Sequence, residues 1–470
     1  MKNLMVKLLL AALLMTLLAA CQQTSTADES GEETDAEQEE KTLRILTSVV
    51  GGKTPEEHAE FEKEIERLTG ISVTIEKVPT DYDQRLLTSM SAGEQYDLVY
   101  MTKPMMDVLV DQGALTELTQ SIQDSEILSD PTVIPTEEWE LITYDDGKIY
   151  SVFNKFEGGT MPLIRQDWLE ALGLEEPTTL DDYYQVLKAF TEQDPNGTGQ
   201  DDTYGLTTAG LYDIQGFMSA AGVKARYVIE DDGSRTIPYA TEAAIPVYEW
   251  FAKLYEEGIL DPNFATNDSG NMQELFLSDR VGVVTYWDAW VGLFNNIRLN
   301  DDPNTSFMAK GLPGAPDENG EFMLRRGDPS VWAIPVNAEH PETALEFLEF
   351  WHTPEGNTVS TLGVKDLHYT VDENGEYELT ELGEIANMDH GVVFPNNTNW
   401  ENPFGTLPGV EEAQAIIIEH AQPEVSTADW PQAEKIVERY VFAAITGDMP
   451  APEAVERMHG ELLAADLIDN

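Results

Sequence analysis

Past residue 40 the apolar positions follow two periods, and each period predicts an element. Leu43 to Val50 reads as a buried strand. Thr54-Pro55-Glu56-Glu57 then supplies an N-cap, a proline at the first helical position and a capping-box glutamate. Phe61, Ile65 and Leu68 follow at helical spacing, with Gly70 as the stop. Ile71, Val73 and Ile75 alternate with polar residues, which is strand spacing. A helix around Asp81 to Met90 and a short strand from Tyr96 to Met101 complete a β-α-β-α-β unit, so a parallel sheet is expected. Further on, Thr179 caps a helix with Tyr183, Leu187 and Phe190 on one face, and Pro341 opens another with Leu345, Leu348 and Trp351. The sequence shows no internal repeat.

The first 40 residues follow neither pattern. Lys2 and Lys7 precede a run from Leu8 to Ala20 that is apolar except for Thr16. The run falls short of the roughly 20 residues that span a bilayer and has the layout of a secretory signal, so residues 1–20 are expected to be a signal peptide. Leu18-Ala19-Ala20-Cys21 resembles the bacterial lipobox, in which the cysteine is lipidated; the alternative is a buried free thiol. A diacylglyceryl anchor at Cys21 would hold the protein on the outer face of the cell membrane, and with no second cysteine no intrachain disulfide can form. Residues 21–40 include no large apolar side chain after the cysteine and read as a disordered acidic tether. The remaining 430 residues exceed what one hydrophobic core usually serves, so two lobes are expected.

Charge narrows the partners. The chain has 27 basic and 87 acidic residues, a formal net charge of −60, and the tether accounts for eight of the acids. Such a surface repels nucleic acid and anionic lipid, so neither is expected as a partner. It suits an exterior of high salt or alkali, or simply a very soluble secreted monomer.

Several segments, in order along the chain, resemble family 1 extracellular solute-binding proteins, the maltose- and oligosaccharide-binding relatives. They are Leu163-Ile164-Arg165-Gln166-Asp167-Trp168-Leu169-Glu170-Ala171-Leu172-Gly173-Leu174, continuing through Pro177-Thr178-Thr179-Leu180 to Asp194-Pro195-Asn196-Gly197, then Asp279-Arg280-Val281-Gly282-Val283-Val284, Val331-Trp332-Ala333-Ile334-Pro335 and His340-Pro341-Glu342-Thr343-Ala344. The resemblance implies a two-lobed α/β fold of the type II periplasmic-binding-protein kind, closing on its ligand by hinge motion. It implies crossings near Phe153 to Gly158 and Arg326 to Val331, with lobe 1 at 41–155 and 330–380 and lobe 2 at 156–329 and 381–470. The implied role is capture of a carbohydrate, an oligosaccharide, for the permease subunits of an ABC importer, without catalysis. A binding protein for peptides or other organic solutes is the nearer alternative and an exported glycoside hydrolase the more distant one.

A sugar presents apolar C–H faces and a rim of hydroxyls, so its cleft needs aromatic platforms beside planar polar groups. Tyr286-Trp287-Asp288-Ala289-Trp290 offers both at the end of the strand-like run Val281 to Thr285, where α/β sheets place ligands. Asn396, Asn397, Asn399 and Trp400 form a second cluster; relatives that bind maltose-like sugars carry a stacking aromatic in that late segment. Trp287 and Trp400 are expected to stack on sugar, and Asp288, with Arg165 or Arg326, to bond hydroxyls. Tyr212, Trp290 and Trp332 are candidate wall residues, whereas Trp250 and Trp351 sit on helical stripes and are expected in the core.

The loop Asp194 to Gly205 has oxygen side chains at positions 1, 3, 5 and 9 of a calcium loop (Asp194, Asn196, Thr198, Asp202), glycine at 6 and Gln200 for a backbone carbonyl at 7. Position 12 is Gly205, which lacks the bidentate carboxylate, so a structural calcium site competes with a plain Asp/Asn/Gly-rich turn. Similar loops in the resembled family hold calcium, often with an acid where this chain has Thr203. Gly52-Lys53-Thr54 lacks the first glycine of a phosphate loop, and neither His-Glu-x-x-His nor Gly-x-Ser-x-Gly occurs. Carboxylate pairs suited to glycoside hydrolysis are defined by a distance, which sequence does not provide.

Overall fold

The computed structural model describes residues 41–48, 55–79, 81–155, 157–211, 214–230, 232–386, 394–395, 399–425, 427 and 429–469. The signal-like run, Cys21, the tether and the Thr54 cap lie outside these residues. Among them, no helix is long and apolar enough to cross a membrane.

The chain enters on β1 (Lys41–Ser48), and β2 (Ile71–Val78) and β3 (Leu98–Thr102) follow, separated by helices Pro55–Thr69 and Tyr82–Ala92. β1 lies between the other two and pairs parallel with both. Parallel neighbours require a long crossover, and the two helices supply it. Leu43, Ile45, Ile71 and Val73 bury against Phe61 and Ile65 of the first helix, so the apolar spacing seen in the sequence is the packing face of this layer. β4 (Val152–Phe153) closes this stretch of chain.

The chain then passes to a second sheet through β5 (Gly159–Arg165), every residue of which is buried. β6 (Tyr204–Thr207) follows the helix Leu180–Glu192, whose Thr179 and Asp182 form a reciprocal capping box and whose Tyr183, Leu187 and Phe190 face inward. A hairpin of β7 (Val228–Ile229) and β8 (Arg235–Thr236) precedes β9 (Val281–Trp287), β10 (Ala309–Gly311) and β11 (Leu324–Arg326). β9 pairs antiparallel with β5 and parallel with β6. Helices cover this sheet on both faces, one core holding Ile164, Leu206 and Val283 and another Met161, Leu163 and Val284. That two-sided burial is why β5 and β9 read as continuous apolar runs rather than alternating ones.

β12 (Ser330–Ala333) returns to the first sheet, antiparallel to β3 and β4, which gives the order β2-β1-β3-β12-β4. A hairpin of β13 (Tyr369–Val371) and β14 (Tyr377–Leu379) follows, and β15 (Ala421–Gln422) extends the second sheet beside β11. Two α/β lobes result, each with its own sheet. One boundary needs correction. Phe394, assigned to lobe 2 by the division at 380/381, stacks on Trp351 with ring centroids 4.0 Å apart inside the first core. Trp351 is fully buried there, and Trp250 tilts over Phe217 at 5.3 Å in the second lobe, as their helical stripes predicted.

Candidate functional site

Residues 154–155 and 157–158 on the way out and 327–329 on the way back lie between the sheets, and these two segments touch. Gly327 donates its N–H to the Gly158 carbonyl at 3.0 Å. A Cβ at Gly327 would lie 3.1 Å from the Trp287 ring and 3.0 Å from the Glu157 side chain, so the absence of one lets both flank the crossing. Trp287 ends β9 opposite Thr160, is half-buried and stays outside the three hydrophobic cores. The Arg325 guanidinium stands 5.9 Å from the centre of its ring.

Glu157 is held from below. Trp332 Nε1 donates to Asn154 Oδ1 at 3.1 Å, Asn154 Nδ2 donates to Ser330 Oγ at 3.0 Å, and Ser330 Oγ donates to Glu157. In the first lobe, the end of β1, the middle of β3 and the start of the helix Tyr82–Ala92 line an open cavity of about 540 Å³ bounded by Ser48, Asp81, Tyr82, Asp83, Gln84 and Tyr100. That volume falls in the range of small-molecule sites. Asp81 opens the helix in the left-handed region at φ 52°, and Tyr82 donates its hydroxyl to the backbone carbonyl of Tyr100. Burial raises the Asp83 carboxyl above the ordinary aspartate value. Burial, and then the negative charge of Glu157, pushes the Tyr100 phenol upward. The Glu157 charge acts on Tyr100 of the first lobe, and the Glu157 side chain flanks Gly327 together with Trp287.

The expected site residues divide. Trp287 stands at the end of β9, next to Gly327 of the crossing. Trp332 does not line a cleft: it is 1% exposed in the first core, edge-on to Tyr100 at 5.6 Å and stacked on Phe394 at 5.8 Å. Inward-facing positions of a sheet covered by helices exclude solvent whatever their chemistry. Arg165 is corrected as well. It closes β5 at the far end from Thr160, about 17 Å along the strand, and is clamped by Asp167 and Asp279 at 2.6 Å each. Asp288 is 2% exposed; its Oδ1 accepts from Gly159 N at 3.1 Å, and a Cβ at Gly158, where φ is +71°, would run into it. It fastens the crossing rather than displaying a carboxylate, and burial raises its pKa. Arg326 pairs with Glu138 at 2.6 Å, which joins β11 to the helix Thr136–Ile142 of the first lobe. Trp290 opens the helix Trp290–Asp301 with its ring against Tyr286 at 5.1 Å and Phe294 at 5.4 Å, so it covers the sheet. Trp400 is half-buried, and its neighbour Asn399 donates to Thr132 Oγ1 at 3.3 Å. Tyr212, Asn396 and Asn397 lie outside the described residues.

Asp81, Asp83, Tyr100, Glu157 and Glu138 were not singled out from sequence. The rule applied to Trp287, that α/β sheets place ligands at strand ends, applies equally to the ends of β1 and β3. Behind Trp287, Arg325 is buried and bonded to Glu424 at 3.2 Å, while Arg226 reaches Asp328 at 3.2 Å and Glu424 at 3.7 Å. Burial brings the Arg325 guanidinium down to about 10 against the opposing charge of Glu424. These pairs join chain stretches far apart in sequence, up to 198 residues for Arg226 and Glu424, and sequence spacing has no record of them.

The loop after the helix Leu180–Glu192 folds its oxygens inward. Gly199 N donates to Asp194 Oδ2 at 2.9 Å, and Asn196 Nδ2 and Thr198 Oγ1 both donate to Asp202 Oδ1, at 3.1 and 3.2 Å. Asp194 Oδ1 is buried without a hydrogen-bond partner among the described residues. Such an orphan oxygen fits a cation. Gly205 sits inside β6, so no second helix follows the loop. Among the described residues, no group of three or more histidine, cysteine, aspartate or glutamate side chains is arranged to hold a metal, so a cation here would also draw on amide, hydroxyl and carbonyl oxygens.

A family model described as bacterial extracellular solute-binding protein matches residues 51–358. Lipoprotein LipO of Bacillus subtilis is 25% identical over 75% of this chain and 71% of its own length. The polygalacturonan/rhamnogalacturonan-binding protein YtcQ of the same organism is 24% identical over 80% of this chain and 76% of its own. Among solved structures, alginate-binding protein AlgQ2 without calcium ion superposes with a TM-score of 0.66 at 20% identity, covering 92% of this chain and 96% of that one.

Proposed function

Because this chain belongs to the bacterial extracellular solute-binding protein family, matched over residues 51–358, we propose that it captures an oligosaccharide between its lobes and passes it to an ABC importer. The observation that carries this reading is the half-buried Trp287 ring, outside every core and beside the fixed carboxylate of Glu157 at the crossing. A flat apolar face next to hydroxyl acceptors is what a pyranose or furanose ring requires. Trp400 is the second platform, reaching the ligand from the segment whose Asn399 meets the first lobe. A relative named for polygalacturonan and rhamnogalacturonan supports the substrate class. A thermal-shift screen against oligosaccharides, peptides and polyols tests it, since a ligand bound only by the folded state raises the melting temperature. Oligosaccharides are expected to give the shift; a shift from peptides alone would reassign the solute.

Cys21 anchors the mature chain by its lipid, a reading supported by the lipobox-like sequence and by a relative named as a lipoprotein. Cys21→Ser is expected to release the protein into the medium or leave it as precursor. Mature-size protein retained in the membrane fraction would refute the anchor.

The loop of Asp194, Asn196, Thr198, Gln200 and Asp202 holds a structural calcium ion through side-chain oxygens and the Gln200 carbonyl. The orphan Asp194 Oδ1 supports this. So does the fold-mate FusA of Streptococcus pneumoniae, a structure of which is of an EF-hand mutant. The ion would tie the helix Leu180–Glu192 to β6 and add negative-charge compensation, with no part in ligand chemistry. At about 10 mM calcium and a dissociation constant of about 1 mM, stabilisation is about 1.4 kcal/mol. The melting temperature should rise with calcium, fall back with chelator and stop responding in Asp202→Asn. An identical transition with calcium and with chelator would remove the site.

A further inference from the structure

The described residues around this cleft have an uneven charge inventory. The cavity in the first lobe is lined by two carboxylates, Asp81 and Asp83, and by no basic side chain. Glu157 adds a third carboxylate at the crossing, where its charge already reaches Tyr100. Burial of Asp83 raises its pKa, the response of an environment that resists negative charge. The nearby cations are committed elsewhere. Arg325 is bonded to Glu424, Arg226 to Asp328 and Glu424, Arg326 to Glu138 and Lys103 to Asp107. Lys155, half-buried on the first crossing segment, is a single cation to set against the three carboxylates Asp81, Asp83 and Glu157.

A uronic-acid chain brings one carboxylate per ring, and proteins meet such groups with bidentate guanidinium or with lysine. Here a guanidinium would have to leave a buried carboxylate partner to do so, which strands that partner's charge. Uncharged sugars meet no such obstacle, because their hydroxyls donate to Asp81, Asp83 and Glu157 while a C–H face covers Trp287. We propose that this cleft selects uncharged oligosaccharides and rejects oligouronates. This rests on the carbohydrate reading above, and it separates the chain from the relative named for polygalacturonan despite their 24% identity.

The test is calorimetry on the full chain with two sets of trisaccharides. One set is neutral (malto-, cello-, xylo-, galacto- and fructo-trisaccharides), and the other is made of trimers of galacturonate, mannuronate and guluronate. The best neutral sugar should bind at least tenfold more tightly than any uronate, which corresponds to about 1.4 kcal/mol. Residual uronate affinity should rise with added salt, as screening weakens repulsion. Asp83→Asn combined with Glu157→Gln should narrow the gap from the uronate side. A uronate that binds more tightly than every neutral sugar, or whose affinity falls as salt is added, overturns the inference and leaves the carbohydrate reading standing. Failure of every sugar in both sets overturns the two together. If the double variant does not fold, the salt series on the unaltered protein decides.

Discussion

Trp332→Ala should lower the stability of the folded chain by about 3–5 kcal/mol, the usual range for removing a buried tryptophan. The indole is 1% exposed between Tyr100 and Phe394, so its removal leaves a cavity in a layer that helices and strands hold in place. Its Nε1 also donates to Asn154 Oδ1, and a buried acceptor deprived of its donor adds a further penalty. Asn154 in turn supports Ser330 and, through it, Glu157, so any surviving folded protein should also bind sugar less well. Chemical denaturation with an unchanged slope measures the loss. A cost below about 1 kcal/mol with weakened sugar binding would restore Trp332 to the cleft wall where its sequence context placed it.

Trp287→Ala is expected to do the opposite, with a sugar affinity at least tenfold weaker and a melting temperature close to that of the parent. Aromatic stacking contributes about 0.5–1.5 kcal/mol beyond buried area, and tenfold is about 1.4 kcal/mol. The ring packs into none of the three cores, and the β9–β5 ladder beneath it is backbone, so little folding energy rests on the side chain. Trp287→Phe should recover part of the affinity by keeping a flat face. Calorimetry and a melting curve on each variant decide. Unchanged affinity together with a collapsed melting temperature would make Trp287 a core residue and remove the platform.

The contrast between these tryptophans shows how far sequence reasoning reaches. Trp287 was read at the end of a strand-like run and Trp332 just after the second crossing, and both were assigned to the cleft. Trp287 is the last residue of its strand, where the ladder to Thr160 ends and the chain turns, so its ring emerges. Trp332 sits within its strand, paired with both Tyr100 and Val152, and the layer closes over it. A shift of a few residues along a strand decides between surface and core, and composition is blind to it. Arg165 makes the same point at the other end of β5, where an arginine read as a hydroxyl ligand is held by two aspartates.

By itself the sequence determined the local and periodic features: the β-α-β order of the first lobe, the Thr179 cap and the inward faces of the helices. Each depends on residues within about ten positions of one another, where propensity and periodicity operate. Only the tertiary structure decided what surrounds Trp287. Tyr100, Glu157, Trp287 and Gly327 come from four separate stretches of chain and meet because two crossing segments run side by side. The pairing that neutralises Arg226, Arg325 and Arg326 likewise joins residues that are far apart in sequence. Such contacts form when sheets and helices stack, and their geometry is set by the packing of whole layers rather than by any local run of residues.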